Sequence, residues 1–336
     1  MFADCKNIIS INLKNFNSKD VTSMKYMFTG CINLEKLDLS SLNTINVKDM
    51  EGLCGEYNDK TFKKNYKKYF DGCIKLKEIV ICETDNVTNI SHMFSGCQNL
   101  INLDLSLLNT INVTDMSAML NGCYQLQNLN LSYFNTENVT NMSHLFGNCY
   151  QLKVLDITSF DTKKVTDMSF MFYNCSQLQS LNLSYVNTEN VTNMSHLFYN
   201  CSQLTGLDLT SFDTKKVTDM SFMFYNCSQL QSLNLSFNTE NVINMSAMFY
   251  NCYGLESSNM SSFDTKNVIN MSHMFYNCSK LHLSNLTPLD TENVKFVKSM
   301  FYGCKNYNDG YRYYDFSSTS FKGFNREELI NSLSIK

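Results

Sequence analysis

The sequence has no tryptophan and a single proline, Pro288, in 336 residues. Its formal net charge is only −4, which gives no reason to expect broad attraction to nucleic acid or to an acidic membrane surface. No apolar run reaches about eighteen residues, so nothing reads as a bilayer-spanning helix. The opening residues, MFADCKNIIS, lack the basic start, long apolar centre and small-residue cleavage site of a secretory signal. There is no glycine-rich phosphate loop, no nucleophile elbow and no Ser/His/Asp set outside a repeating pattern. An enzyme is therefore the poorest functional class, and no catalytic residue or cofactor is expected.

Close cysteine pairs of the kind that hold zinc are also missing. Histidines are few: His92, His144, His196, His273 and His282. His144 and His196 occupy equivalent places two repeats apart, which puts them about 10 Å from each other in a stack of strands. That is too far for both to hold one ion. They lie beside an apolar stripe and read as outer-face residues, and no metal is expected.

What the sequence does have is repetition. Thr158–Ser184 and Thr210–Ser236 are identical. Cys97, Cys123, Cys149, Cys175, Cys201 and Cys227 fall 26 residues apart, Cys252 follows after 25, and Cys278 and Cys304 resume 26. Cys5 and Cys31 are also 26 apart, while 42 residues separate Cys31 from Cys73, one period plus a 16-residue insertion. Of fourteen cysteines, only Cys54 and Cys82 lie off this ruler. The reading is about twelve copies over residues 1–304. The first, MFADC, matches MFYNC at 171–175, so the chain begins in mid-repeat and reads as a fragment or as lacking earlier copies.

One copy can be read physically. In TDMSFMFYNC, Met168, Met171, Phe172 and Cys175 sit at i, i+3, i+4 and i+7, the spacing of one face of a two-turn helix. Asp167 stands before it as an N-cap. The residue before the ruler cysteine is glycine (Gly30, Gly72, Gly96, Gly122, Gly303) or asparagine (Asn148, Asn174, Asn200, Asn226, Asn251, Asn277), with Asp4 in the first copy. Glycine and asparagine share tolerance of positive φ, as a left-handed stop requires. LQSLNLS then alternates as a half-buried strand does, and Asn187-Thr188 or Asp213-Thr214 suits an Asx turn. No copy can bury its apolar face alone, so stacking must supply the core.

The full motif, F-[DN]-T-x-x-V-T-[DN]-M-S-x-M-F-x-[GN]-C-x-x-L-x-x-L-[DN]-L-S, resembles the BspA-like leucine-rich-repeat surface proteins, the mycoplasma-type surface-protein repeat. It departs from commoner leucine-rich repeats where an asparagine is expected two residues after the last strand leucine. Phe160, Val186 or Phe212 stands there instead. The resemblance implies a cell-surface or secreted protein of bacteria or some protists, associated with adhesion to host proteins, other cells or matrix, and it transfers no catalytic residue. The expected fold is thus an α/β leucine-rich-repeat-like solenoid, each coil a short parallel strand, a turn and a short helix. Residues 1–304 form one solenoid with an insertion at 55–70, and 305–336 form a C-terminal cap with a short helix at Asn325–Leu333.

The row between the two strand leucines is the candidate contact surface. It includes Asp104, Asn130, Asp156, Asn182, Asp208 and Asn234, with Ser132 and Ser184 in a second row. Parallel stacking would align these on one exposed face. They could contact a ligand, or they could hydrogen-bond among themselves and keep the face soluble. The cysteines, each at an apolar position, read as buried free thiols, although neighbouring coils could bring two within disulfide reach. The insertion mixes Lys60, Lys63, Lys64, Lys67 and Lys68 with aromatics; it reads as an excursion with solvated lysines, the other reading being contact with an anionic surface or nucleic acid. The resulting expectation is an extracellular or cell-surface recognition module for a protein or glycan on another cell or matrix, with its signal or anchor outside this chain. The alternative is an intracellular scaffold or spacer in a protist or large DNA virus.

Overall fold

The computed structural model describes residues 1–58, 69–235, 237–259, 263–281, 289 and 292–304. The expected cap, with Asn325–Leu333, and residues 59–68 of the insertion lie outside the described residues. Two compact units divide the chain, Met1–Val165 and Thr166–Lys336.

The first unit holds β1 (Lys36–Asp38), β2 (Tyr57–Asn58), β3 (Tyr69–Phe70), β4 (Glu78–Val80), β5 (Asn102–Leu103), β6 (Asn128–Leu129) and β7 (Val154–Leu155). β1 pairs with β4, and β5 with β6, both parallel and in register, so that Leu37 faces Ile79 and Leu103 faces Leu129. β2 and β3 form an antiparallel pair at the base of the insertion. The second unit holds β8 (Ser180–Leu181), β9 (Gly206–Asp208), β10 (Ser232–Asn234) and β11 (Ser257–Asn259), the last three in one parallel sheet. The strands are short because only one leucine at a time points inward: β1, β4 and β9 read exposed, buried, exposed.

The segment expected to be a short helix is not one; among the described residues every assigned element is a strand. In the second unit the N–H groups of Met168, Phe170, Phe172 and Asn174 donate to Asn193, Ser195, Leu197 and Tyr199 of the next coil, at 3.2, 3.0, 3.0 and 2.7 Å. The N–H groups between them turn back locally: Met171 to Met168, Tyr173 to Phe170 and Cys175 to Phe172, at 3.3, 3.0 and 3.1 Å. Alternate amides thus serve the neighbouring coil, whereas an α-helix would spend all of them internally. Phe170 has φ 58°, a left-handed value no helix interior tolerates. The i, i+3, i+4, i+7 spacing is real, but chained tight turns satisfy it as well as a helix does. The Asp167 carboxylate makes the bond expected of a cap, accepting the Ser169 N–H at 2.8 Å, as an Asx turn.

The stop before each ruler cysteine is left-handed as expected. Asn148, Asn174, Asn200, Asn226, Asn251 and Asn277 have φ of 58–59°, Asp4 has 62°, and Gly30, Gly96, Gly122 and Gly303 have 73–78°. Gly72 is the exception. It is glycine for another reason: a Cβ there would lie 2.3 Å from the Ser95 carbonyl oxygen.

The core repeats with the coil. Val191, Met194, Leu197, Phe198, Cys201 and Leu204 are each at most 1% exposed. Phenylalanines form a column in the second unit, Phe172–Phe198–Phe224–Phe249–Phe275–Phe301, with ring centroids 5.4–5.6 Å apart. A second column, of half-buried tyrosines from Tyr173 to Tyr302, stacks at 4.4–4.8 Å. Such pairs contribute about 0.5–1.5 kcal/mol each beyond their burial.

Polar ladders stitch the coils where backbone pairing is sparse. Buried Thr110 and Thr136 donate through Oγ1 to the Asn135 and Asp161 carbonyls in the first unit, both at 2.8 Å. Thr188 and Thr239 do the same to Asp213 and Asp264 in the second, again at 2.8 Å. Asparagines absent from the usual leucine-rich position are found elsewhere: Asn112 and Asn138 donate to the Asp85 and Ile111 carbonyls at 2.8 and 2.9 Å. All fourteen cysteines are free thiols, and all but half-buried Cys5 are buried. Cys201, Cys227, Cys252, Cys278 and Cys304 each aim Sγ at the phenylalanine carbonyl of the preceding coil, at 3.0–3.1 Å. Burial pushes the Cys227 and Cys304 thiols up to about 12.

Candidate recognition face on the strand ladder

Alternation along each strand decides what faces out. With Leu103 and Leu155 inward, their flanking residues Asn102, Asp104, Val154 and Asp156 are exposed. The row expected between the leucines is therefore on the surface: Asp104, Asn130 and Asp156 in the first unit, Asn182 and Asp208 in the second, with Ser132 and Ser184 exposed beside it. Asn234 has its backbone in β10, but its side chain lies outside the described residues.

Each member of the row is held by a local bracket. The Asp156 Oδ1 accepts the Thr158 N–H at 2.9 Å and its hydroxyl at 2.7 Å. Asn130 accepts Ser132 through N–H and Oγ at 3.0 and 2.8 Å, and Asn182 accepts Ser184 at 3.1 and 2.7 Å. Asp208 accepts Thr210 at 3.0 and 2.7 Å, and Asp104 accepts the Ser106 N–H at 2.9 Å. These bonds favour the ionised form, so the hydroxyl and then the amide of Thr158 and Thr210 lower the Asp156 and Asp208 carboxyls below 3.8. For Asp104 the Ser106 amide leads. The bracket consumes one oxygen and fixes the side chain, while the second oxygen of each aspartate, or the amide nitrogen of each asparagine, stays outside it. The two rows are thus bonded within each coil, and the Asp-x-Ser/Thr spacing was the signal for it.

A row just before the inward leucine went unnoticed in the sequence. Asn128 donates Nδ2 to Asn102 Oδ1 at 3.0 Å across β5 and β6, and Val154 continues the row 64% exposed. On β1 and β4 the same row carries a Lys36–Glu78 ion pair at 2.8 Å, exposed and hence weak. Asn102, Asp104, Asn128, Asn130, Lys153 and Val154 line an open concavity of about 710 Å³ in the first unit. Leu107 and Tyr133, 51% and 68% exposed, project from the turns that follow Ser106 and Ser132. The face can therefore offer amides, carboxylates and one ammonium from rigid positions, with apolar side chains beside them.

The histidines lie elsewhere. His92, His144, His196 and His273 are half-buried in left-handed positions, with φ of 54–60°. The His196 ring is stacked between Phe170 and Phe222 at 4.2 and 4.6 Å. Burial and then Lys298 lower the His273 pKa. His282 lies outside the described residues. Among the described residues no group of three His, Cys, Asp or Glu side chains is arranged to hold a metal, and no helix is long and apolar enough to cross a membrane.

The family described as "Mycoplasma protein of unknown function, DUF285" matches residues 1–69, 64–155, 148–258 and 232–328. No curated protein matches the chain. Among solved structures, a leucine-rich repeat protein from Bacteroides ovatus is 18% identical over 88% of this chain and 80% of its own, with a TM-score of 0.40. One from Eubacterium ventriosum is 16% identical over 91% and 83%, TM-score 0.38. A leucine rich cell surface protein from Faecalibacterium prausnitzii is 16% identical over 78% and 76%, TM-score 0.35.

Proposed function

Because the chain belongs to the DUF285 family of mycoplasma-type repeats, whose description assigns no activity, we propose its function from the strand face: a non-catalytic recognition module that binds a protein or glycan. The observation that carries this reading is the concavity over β5 and β6, where amide side chains and the Asp104 carboxylate surround about 710 Å³ of open space. Bracketed Asp104 and Asn130 are already ordered, so a ligand that hydrogen-bonds to them need not freeze their side chains, a cost of about 0.5–1.5 kcal/mol each at mobile positions. Leu107 and Tyr133 supply apolar area, and tyrosine is among the residues that most often anchor such contacts.

The corresponding place of action is the cell surface or the extracellular space, with the module mediating adhesion to another cell or matrix. Two measurements test this. Protease added to intact cells should cleave the protein; complete protection would remove the surface assignment. Purified chain should be retained by at least one member of a panel of matrix proteins and neutral glycans. Asn130→Arg with Asp156→Lys should lower that retention at least tenfold at an unchanged circular dichroism spectrum. Retention unaffected by the pair would place the contact off this face, and no retention by the wild-type chain would sink the adhesion reading.

A further inference from the structure

Cys54, which the 26-residue ruler leaves out, has a definite place in the coil. Aligning Asp49–Cys54 with Asp167–Phe172 puts it at the aromatic position, the one filled by Phe28 and Phe94 in neighbouring coils of the first unit. In a regular coil that position is joined to the ruler cysteine by one tight turn, with the Cys175 N–H donating to the Phe172 carbonyl at 3.1 Å. The insertion opens inside this turn. The chain departs at Cys54–Gly55 and returns at Gly72–Cys73, yet the turn's hydrogen bond survives: the Cys73 N–H donates to the Cys54 carbonyl at 2.8 Å. The two thiols perturb each other's titration, the Cys73 thiol itself donates to the Phe28 carbonyl at 3.3 Å, and both residues are 0% exposed.

Both limbs of the insertion are pinned at this point. A Cβ on Gly55 would lie 1.8 Å from the His92 carbonyl oxygen, and one on Gly72 would lie 2.3 Å from that of Ser95. The backbones therefore approach the next coil as closely as glycine allows, which holds the two cysteines in place from either side. A backbone bond of this length between two cysteines is compatible with the 4.4–6.8 Å between Cα atoms that a disulfide spans.

We propose that Cys54 and Cys73, free thiols in this structure, are joined as a disulfide when the chain folds under oxidising conditions, closing the base of the insertion and reinforcing covalently the turn in which it opens. The oxidant is an external disulfide, of a small thiol or of a thiol oxidoreductase. One cysteine, as thiolate, attacks a sulfur of that disulfide and expels its first thiolate. The second cysteine, as thiolate, then attacks the mixed disulfide and expels the other. Two protein thiols are oxidised, one external disulfide is reduced to two thiols, and the two protons lost by the cysteines end on the released groups. Exchange takes place before the His92–Gly96 coil docks, because afterwards neither sulfur is accessible. In the folded reduced chain the neighbouring Cys54 thiol and then burial hold Cys73 protonated well above the ordinary thiol range, so the pair is set during folding.

The test is to refold the full chain in a mixture of reduced and oxidised glutathione, remove the glutathione, unfold in the presence of N-ethylmaleimide so that buried free thiols are blocked as they become exposed, and digest with trypsin without reductant. The peptide of residues 49–60 should be found joined to that of residues 69–75, with the other cysteines alkylated. Folded, fully reduced chain given the same mixture should yield the alkylated forms instead. Cys54→Ser, refolded identically, should leave Cys73 alkylated. Alkylation of both Cys54 and Cys73 in the refolded wild-type chain, or linkage of either to a different cysteine, would overturn the assignment.

Discussion

Replacing Ala247 by glycine removes one buried methyl from a residue that is 3% exposed and has φ 52°. Three effects compete. Releasing an L-residue from the left-handed region recovers about 1–2 kcal/mol. Losing the buried methyl costs about 0.8 kcal/mol, and the looser unfolded chain costs a further ~0.4–1 kcal/mol. The net change should lie within about 0.8 kcal/mol of zero. Had this segment been the expected helix, the same substitution would forfeit about 1 kcal/mol of helix propensity on top of the methyl, a loss of about 2 kcal/mol. Ala118, 4% exposed with φ 51°, is the same experiment in the first unit. Gly52, with φ 57°, already occupies this position in another coil. Urea denaturation followed by circular dichroism reads the difference. A loss near 2 kcal/mol at both alanines would refute the chained-turn description.

Phe198→Ala removes a fully buried ring stacked on Phe172 and Phe224 at 5.5 and 5.6 Å, and should cost about 3–5 kcal/mol in urea denaturation. Phe198→Leu should cost less than ~1.5 kcal/mol, because Leu120 fills the equivalent place in its own coil. Asp104, Asp156 and Asp208 have carboxyls lowered below 3.8 by their Ser or Thr partners. Their contribution is therefore complete above the ordinary carboxylate range and lost as pH falls through the folded-state values. Asp156→Asn with Asp208→Asn keeps the bracket without the charge, as Asn130 and Asn182 do, and should flatten the acid limb of stability against pH; an unchanged slope would contradict this. Gly55→Ala places a Cβ against the His92 carbonyl and should cost about 3 kcal/mol or more, seen as a lower Tm.

Much of this was legible in the residues themselves. The cysteine ruler gave the period, and the Gly/Asn alternation before each cysteine gave a left-handed stop because few other side chains accept that φ. The Asx turns at Asn187 and Asp213 are present, their Oδ1 atoms accepting the Glu189 and Lys215 amides at 2.9 and 3.0 Å. The helix was misread because Met168, Met171, Phe172 and Cys175 face inward from either conformation. What separates the two is where the amides go, and that depends on a neighbouring coil. The left-handed residue itself is hidden: the position is filled by Tyr26, His92, Phe170 or Ala247, side chains with no common chemistry, and only Gly52 betrays it. Cys54 falls off the 26-residue spacing because it holds the aromatic position of its coil, and the insertion separates it from the ruler cysteine, Cys73, that identifies that position. At the candidate face, alternation alone marked Asp104 through Asp208 as outward. The concavity depends on side-chain lengths from three strands, and no single copy of the repeat contains that information.

The account rests on thiols turned inward between stacked coils, and titration of a fully reduced sample with a chromogenic thiol reagent tests this directly. Native chain should react promptly at Cys5 alone, and the other thirteen cysteines should react only after unfolding. Prompt reaction of many thiols in the folded chain would contradict it.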